Sequence, residues 1–174
     1  MLSLVAPAMA TQPPGPPTTD TLRRPLHLPK LRRGARCPVS PSRLWSLTTG
    51  QRLNGRGPAF LVATEPATIR MNFAYADGLG WHGQKTPWVI SREYSGALLV
   101  RGARIDRRGQ VRFALGYGDH LRELYWEAGA DQSLKPDPDY RFLASSTLVR
   151  TRGCYAFQVD GESFSRVIVV RVRG

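Results

Sequence analysis

The segment from Thr151 to Arg173, TRGCYAFQVDGESFSRVIVVRVR, decides the fold class. Apolar side chains alternate at Tyr155, Phe157 and Val159, Asp160-Gly161 interrupts the run, and a second apolar run extends from Phe164 to Val172. A period of two marks a half-buried strand, and Asp-Gly readily takes the positive φ angles of a tight turn, so this stretch predicts a β-hairpin. With Tyr155, Phe157 and Val159 facing the core, Cys154 and Ala156 face the other way, because strand side chains alternate. In the second strand Val167 and Val169 oppose Ile168 and Val170, so both faces are apolar. That predicts a central strand covered on both sides.

Working outward from the hairpin, Phe60 to Ala63 reads as a short strand, and Ile69, Met71, Phe73 and Tyr75 alternate with Arg70, Asn72 and Ala74 as a second one ended by Asp77-Gly78. Leu98 to Ile105, the turn Asp106 to Gly109, and Val111, Phe113 and Leu115 predict another hairpin. Asp119 to Glu127 fits either a capped helical turn or a strand, Asp131 to Asp139 is a loop, and Tyr140 to Val149 is one strand. Seven to nine short strands separated by turn signals predict an all-β chain, an antiparallel immunoglobulin-like β-sandwich over residues 37–174.

Residues 1–36 differ in kind. MLSLVAPAMA has a short apolar stretch and a small-x-small Ala8-Met9-Ala10 sequence, which fits a signal peptide cut short at its start or a plain Ala/Pro-rich tail. From Thr11 to Arg36 the chain is Pro-rich and then basic, with no sustained period. That predicts a disordered tether, either a soluble linker or one that touches an anionic polymer or lipid surface. No stretch approaches the roughly 20 apolar residues of a membrane helix.

The formal charge is +12 from 25 basic and 13 acidic residues. Basic residues are dispersed along the chain, so the charge predicts a solvated basic surface rather than a specific nucleic-acid site. Cys37 and Cys154 are the only cysteines. Their spacing fits no zinc motif, and in an exported chain they have one possible intramolecular disulfide; in the cytosol they would be two buried thiols.

The richest local cluster is Asp77 to Trp88, DGLGWHGQKTPW, which sets Trp81, His82, Lys85 and Trp88 in a Gly-rich loop. Aromatic rings on such loops stack on sugar or base faces, while the structural alternative has both tryptophans filling the sandwich edge. The chain has no GxSxG, HExxH, phosphate loop or dinucleotide fingerprint, so no catalytic residue or cofactor is expected. His82 and His120 are too isolated in sequence to read as metal ligands.

Taken together, Cys37-Pro38-Val39-Ser40, Ala76-Asp77-Gly78, Lys85-Thr86-Pro87-Trp88, Gly102 to Asp106 and Gly153-Cys154-Tyr155 resemble a family of uncharacterised exported bacterial domains. These begin with a CPVT-like segment and end with a GCW- or GCY-like one. The resemblance implies an immunoglobulin-like sandwich with a terminal disulfide, extracytoplasmic and secreted or envelope-associated, and brings no functional residues with it. The function expected is a non-enzymatic cell-envelope binding or accessory module whose partner is an envelope protein or an anionic polymer. The alternatives are a carbohydrate or cell-wall polymer binder using the Trp81–Trp88 loop, and a small hydrolase whose site is assembled from distant residues.

Overall fold

The structure, a computed structural model, describes residues 15–32 and 34–174. Expectations for the first fourteen residues, the signal-like segment among them, lie outside the described residues. One short helix, α1 (Thr19–Leu22), precedes β1 (Ser42–Leu44), β2 (Arg52–Asn54), β3 (Ala59–Ala63), β4 (Thr68–Arg70), β5 (His82–Lys85) and β6 (Trp88–Ser91). Then follow β7 (Leu98–Arg104), β8 (Arg112–Ala114), β9 (Glu123–Trp126), β10 (Tyr140–Leu143), β11 (Ser146–Val149), β12 (Gly153–Gly161) and β13 (Ser165–Arg173). They form three sheets, ordered β1-β2-β3-β6-β10, β5-β11-β8 and β4-β13-β12-β7-β9. Every pairing is antiparallel except β4 with β13.

The fold is an all-β sandwich, and its core lies where the inner faces of the sheets meet. Leu61, Trp88, Ile90 and Leu143 of the first sheet pack with Tyr155, Phe157, Val159, Ile168 and Val170 of the third, while Phe113 and Val149 reach in from the second. Phe157 sits opposite Gly102 of β7. A Cβ at Gly102 would stand 2.8 Å from the Phe157 ring and 2.8 Å from the Ala156 carbonyl oxygen, so the glycine is what admits the ring. Trp88 meets Phe157 edge to face at 6.1 Å.

The β12–β13 hairpin divides its faces as its alternation predicts. Tyr155, Phe157 and Val159 enter the main core, whereas Cys154, Ala156 and Val169 form a separate outer cluster. Cys154 is disulfide-bonded to Cys37, with Cα atoms 5.6 Å apart. The turn falls at Glu162-Ser163, two residues later than Asp160-Gly161 suggests: Asp160 pairs with Ser165, and the Gly161 N–H donates to the Phe164 carbonyl at 2.9 Å. Asp160 is fully buried and works as a strand residue. It accepts from Arg101 at 2.6 Å, from Gln158 and from Ser165, so its charge is compensated on the strand.

Four expectations need correction. Residues 15–32 are not a free tether but a strap across the outer face of the third sheet. Leu22 packs on Ala97 and Leu99, and Leu28 and Leu31 on Ile105, Ala156 and Val169. The strap's polar backbone is matched as well: the His27 N–H donates to the Gln158 side chain at 2.7 Å, Gln158 donates to the Pro25 carbonyl at 3.0 Å, and the Leu31 N–H to the Ile105 carbonyl at 3.1 Å. The domain therefore includes residues assigned to a linker. Their ordering is offset by apolar surface on the sheet rather than within the segment itself.

The expected β7–β8 hairpin closes only at its turn, through Arg104 and Gly109 and the Ala103–Gln110 bridge. The chain then leaves for the second sheet, where β8 pairs with β11, while β9 takes the free edge of β7. Of Asp119–Glu127, Glu123–Trp126 is strand, while the Asp119 carboxylate closes the preceding turn by accepting the Leu115 and Gly116 N–H groups. Tyr140–Val149 is two strands in different sheets, broken at Ala144-Ser145, and the Ile69–Tyr75 strand is only Thr68–Arg70. Among the described residues no helix is long and apolar enough to cross a membrane.

Candidate functional site: an arginine-covered tryptophan

The four residues picked out of the Asp77–Trp88 segment do not share a site. Trp88 is fully buried in the core. His82 packs its ring on Phe73 at 4.8 Å and uses Nδ1 on the Tyr75 carbonyl at 2.8 Å. Lys85 is exposed at the far end of β5, on the rim of an open groove of about 1110 Å³. In its wall the Thr86 hydroxyl meets that of Thr147 at 2.6 Å and the Ser145 hydroxyl donates to the Thr86 carbonyl at 2.9 Å, and among the described residues no histidine, aspartate or glutamate lines it. Stacking of a sugar on two open indoles is therefore not what this segment offers, because both indoles are covered.

Trp81 is the exception that leads to a site. It is only 6% exposed, yet belongs to none of the apolar clusters. Two guanidiniums and an imidazole cover it instead: the Arg150 guanidinium carbon lies 4.5 Å from the ring centroid, that of Arg112 5.5 Å, and the His120 ring 6.2 Å.

Strand register explains the gathering. Val149 pairs with His82, so the next step sets Arg150 beside Trp81. Leu148 pairs with Arg112, so Arg112 and Arg150 project from neighbouring strands on the face opposite Val149 and Phe113. The Phe113–Leu121 bridge extends the same register and puts Arg122 across from Arg112. Gly80, at φ +76°, completes the contact, since a Cβ there would come to 3.1 Å from an Arg150 nitrogen.

Comparison with protein-family models, with curated proteins and with solved structures finds no significant match.

Two guanidiniums therefore cover one indole, with Arg122 set across from one of them. Among the described residues none of Arg112, Arg122 and Arg150 forms an ion pair with a carboxylate. Burial lowers the pKa of the Arg112 guanidinium, and the charges of Arg122 and Arg150 add to the same direction. Arginine remains protonated regardless, so the repulsion is simply held in place. Arg112 itself is steadied by bonds to the Val111 carbonyl and Gln110 Oε1, both 3.1 Å.

The nearby carboxylate, Asp77, is committed elsewhere. One of its oxygens accepts the Trp81 and Leu79 N–H groups, each at 2.9 Å, and the other meets His120 Nε2 at 2.6 Å. The hydrogen bond from the Trp81 N–H lowers the Asp77 pKa, assisted by His120 and opposed by desolvation. Asp77 thus fixes the backbone under the indole and leaves the arginines uncompensated. No serine hydroxyl bonds either imidazole among the described residues, and they contain no group of three or more metal-ligating side chains.

Sequence reasoning reached Trp81 and missed Arg112, Arg122 and Arg150. Their only signal is an arginine at an outward strand position, and which outward positions become neighbours depends on pairing between strands distant in the chain.

Proposed function

We propose that this chain is an exported, non-enzymatic binding domain of the bacterial cell envelope that holds an anionic polymer on the outer face of the β5-β11-β8 sheet. The observation that carries the reading is Arg112 and Arg150 over Trp81 with Arg122 across from Arg112, like charges held together with no ion pair to a carboxylate among the described residues. Like charges set side by side cost stability unless something else favours them, and a bound polyanion repays that cost. A guanidinium lying over an indole leaves N–H donors for phosphate or carboxylate oxygens, beyond the two that Arg112 gives to Val111 and Gln110, so Trp81 acts as a platform for the arginines. The disulfide favours an oxidising compartment, and with it the kinship to exported bacterial domains suggested by the Cys37 and Cys154 segments.

The test is salt-dependent binding of a poly(glycerol phosphate) chain, with single-stranded DNA as the competing polyanion. Replacing Arg112, Arg122 and Arg150 with Gln is expected to flatten the plot of log affinity against log salt by about 0.7 for each arginine lost from a phosphate contact. An unchanged slope, or stronger binding of DNA than of the envelope polymer, overturns the reading.

A further inference from the structure

A second basic site, independent of the Trp81 face, lies on the sheet that carries β3, β6 and β10. Four arginines from separate segments, Arg43, Arg56, Arg92 and Arg166, line one cleft of about 620 Å³ together with Phe60 and Tyr140. That volume suits a small ligand.

The four are not equivalent. Arg92 is occupied, donating to the Asp137 carbonyl at 2.7 Å and to the Asp131 carboxylate at 2.8 Å. Arg43 is oriented, with its guanidinium carbon 5.1 Å from the Phe60 centroid and 5.9 Å from that of Tyr140, whose hydroxyl accepts one of its N–H groups. Arg166 donates to the neighbouring Ser165 carbonyl at 3.0 Å. Arg56 donates to nothing among the described residues. None of Arg43, Arg56 and Arg166 comes within 4.0 Å of a carboxylate oxygen there.

Carboxylates nevertheless line the same cleft. Glu93 and Asp139 both reach it, and among the described residues neither side chain makes a hydrogen bond or an ion pair. Cations and anions thus share one hollow without meeting. A ligand that joins them needs a strong anion for three guanidiniums and hydroxyl donors for two carboxylates. A phosphate monoester carries a charge of roughly −1.5 to −2 and three acceptor oxygens, a better match to three guanidiniums than a single carboxylate.

We propose that this cleft binds a phosphorylated sugar, with the phosphate taken by Arg43, Arg56 and Arg166 and the sugar hydroxyls by Glu93 and Asp139. The experiment is calorimetric titration of the full-length, disulfide-bonded protein with glucose 6-phosphate, glucose, glucuronate and inorganic phosphate. Glucose 6-phosphate is expected to bind at least about tenfold more tightly than the other three, a difference of about 1.4 kcal/mol. The double variant Arg56→Gln/Arg166→Gln should lose that binding with an unchanged melting temperature, since both side chains are exposed. Asp139→Asn should weaken glucose 6-phosphate but leave inorganic phosphate as it was. Arg112→Gln/Arg150→Gln should retain glucose 6-phosphate binding, which separates this site from the polymer face. Equal affinity for inorganic phosphate and glucose 6-phosphate, tighter binding of glucuronate, or full affinity in the Arg56/Arg166 variant overturns the proposal.

Discussion

Replacing Cys37 with Ser and Cys154 with Ala removes the bond that closes a loop across 117 positions. In the chain-entropy account, a loop of that size withdraws about 16 cal/mol/K from the unfolded ensemble, about 4.9 kcal/mol at 25 °C. Little is lost on the folded side. Cys154 is 3% exposed in a cluster with Ile105, Ala156 and Val169, so alanine leaves only a small void. The chain on either side of Cys37 keeps its own contacts, with the Leu31 N–H on the Ile105 carbonyl at 3.1 Å and the Ser40 N–H on the Val169 carbonyl at 2.9 Å. The stabilisation therefore acts through the unfolded state. With a urea m-value of about 2 kcal/mol/M for a chain of this size, the midpoint should fall by roughly 2 M. The m-value should rise, because the uncrosslinked unfolded chain exposes more surface. Tryptophan fluorescence follows the transition well, since Trp81, Trp88 and Trp126 are all buried. A midpoint shift below about 0.5 M with an unchanged m-value would refute the reasoning.

Two shorter predictions address the strap and the acid limb. Leu22→Ala should cost about 2 kcal/mol in urea unfolding, because Leu22 is 3% exposed against Ala97 and Leu99; a free tether would register less than about 0.5 kcal/mol. Asp131 has its carboxyl pKa lowered from 3.8 to about 2: desolvation pushes it up, but is outweighed by hydrogen bonds from the Ser133 hydroxyl, the Phe142 and Ser133 N–H groups and Arg92. A depressed folded-state pKa stabilises above the unfolded value and loses that contribution as pH falls through the folded one. The stability advantage of wild type over Asp131→Asn should thus be full above pH 5 and vanish on titration from about pH 4 to pH 2, as read by acid-dependent melting temperatures; an advantage that persists to pH 2 contradicts the assignment.

What was legible in the sequence was whatever is decided within a strand. The faces of β12 and β13 follow from alternation alone, including which side Cys154 takes. Partners are another matter. The turn after β7 is a real turn, but its signal says nothing of where β8 continues, and the destination is β11, more than thirty residues away in sequence. The break in Tyr140–Val149 is equally hidden, because Ala144 and Ser145 carry no glycine or proline to announce it. For the candidate site, Trp81 stood out as a rare residue in a Gly-rich segment. The arginines that define its chemistry sat at ordinary outward positions of an Arg-rich chain, and only the registers Leu148 with Arg112 and Phe113 with Leu121 make them neighbours.

The central hairpin and the strap explain each other. A strand apolar on both faces demands two covers, and β13 has Val169 on one side and Ile168 and Val170 on the other. The first sheet covers the inner side. On the outer side Leu28 and Leu31 cover Val169, Ala156 and Ile105, and the disulfide at Cys37 fixes the end of the same segment to the same face. Proline suits this role, since it holds the strap extended and removes backbone donors that would otherwise need partners. The same residues that make the segment look unable to fold alone make it a good cover for a sheet that already exists. The strap is anchored at its polar end too: Arg24 donates to the Phe164 and Glu162 carbonyls, and the Arg24 carbonyl accepts from Arg101, which also holds the buried Asp160. Arginine on this side is spent on structure, paired with carboxylate and carbonyl. That contrast gives the unpaired arginines around Trp81 and in the Tyr140 cleft their meaning: the chain has acids enough to neutralise a guanidinium where the fold needs it, and leaves those two clusters open.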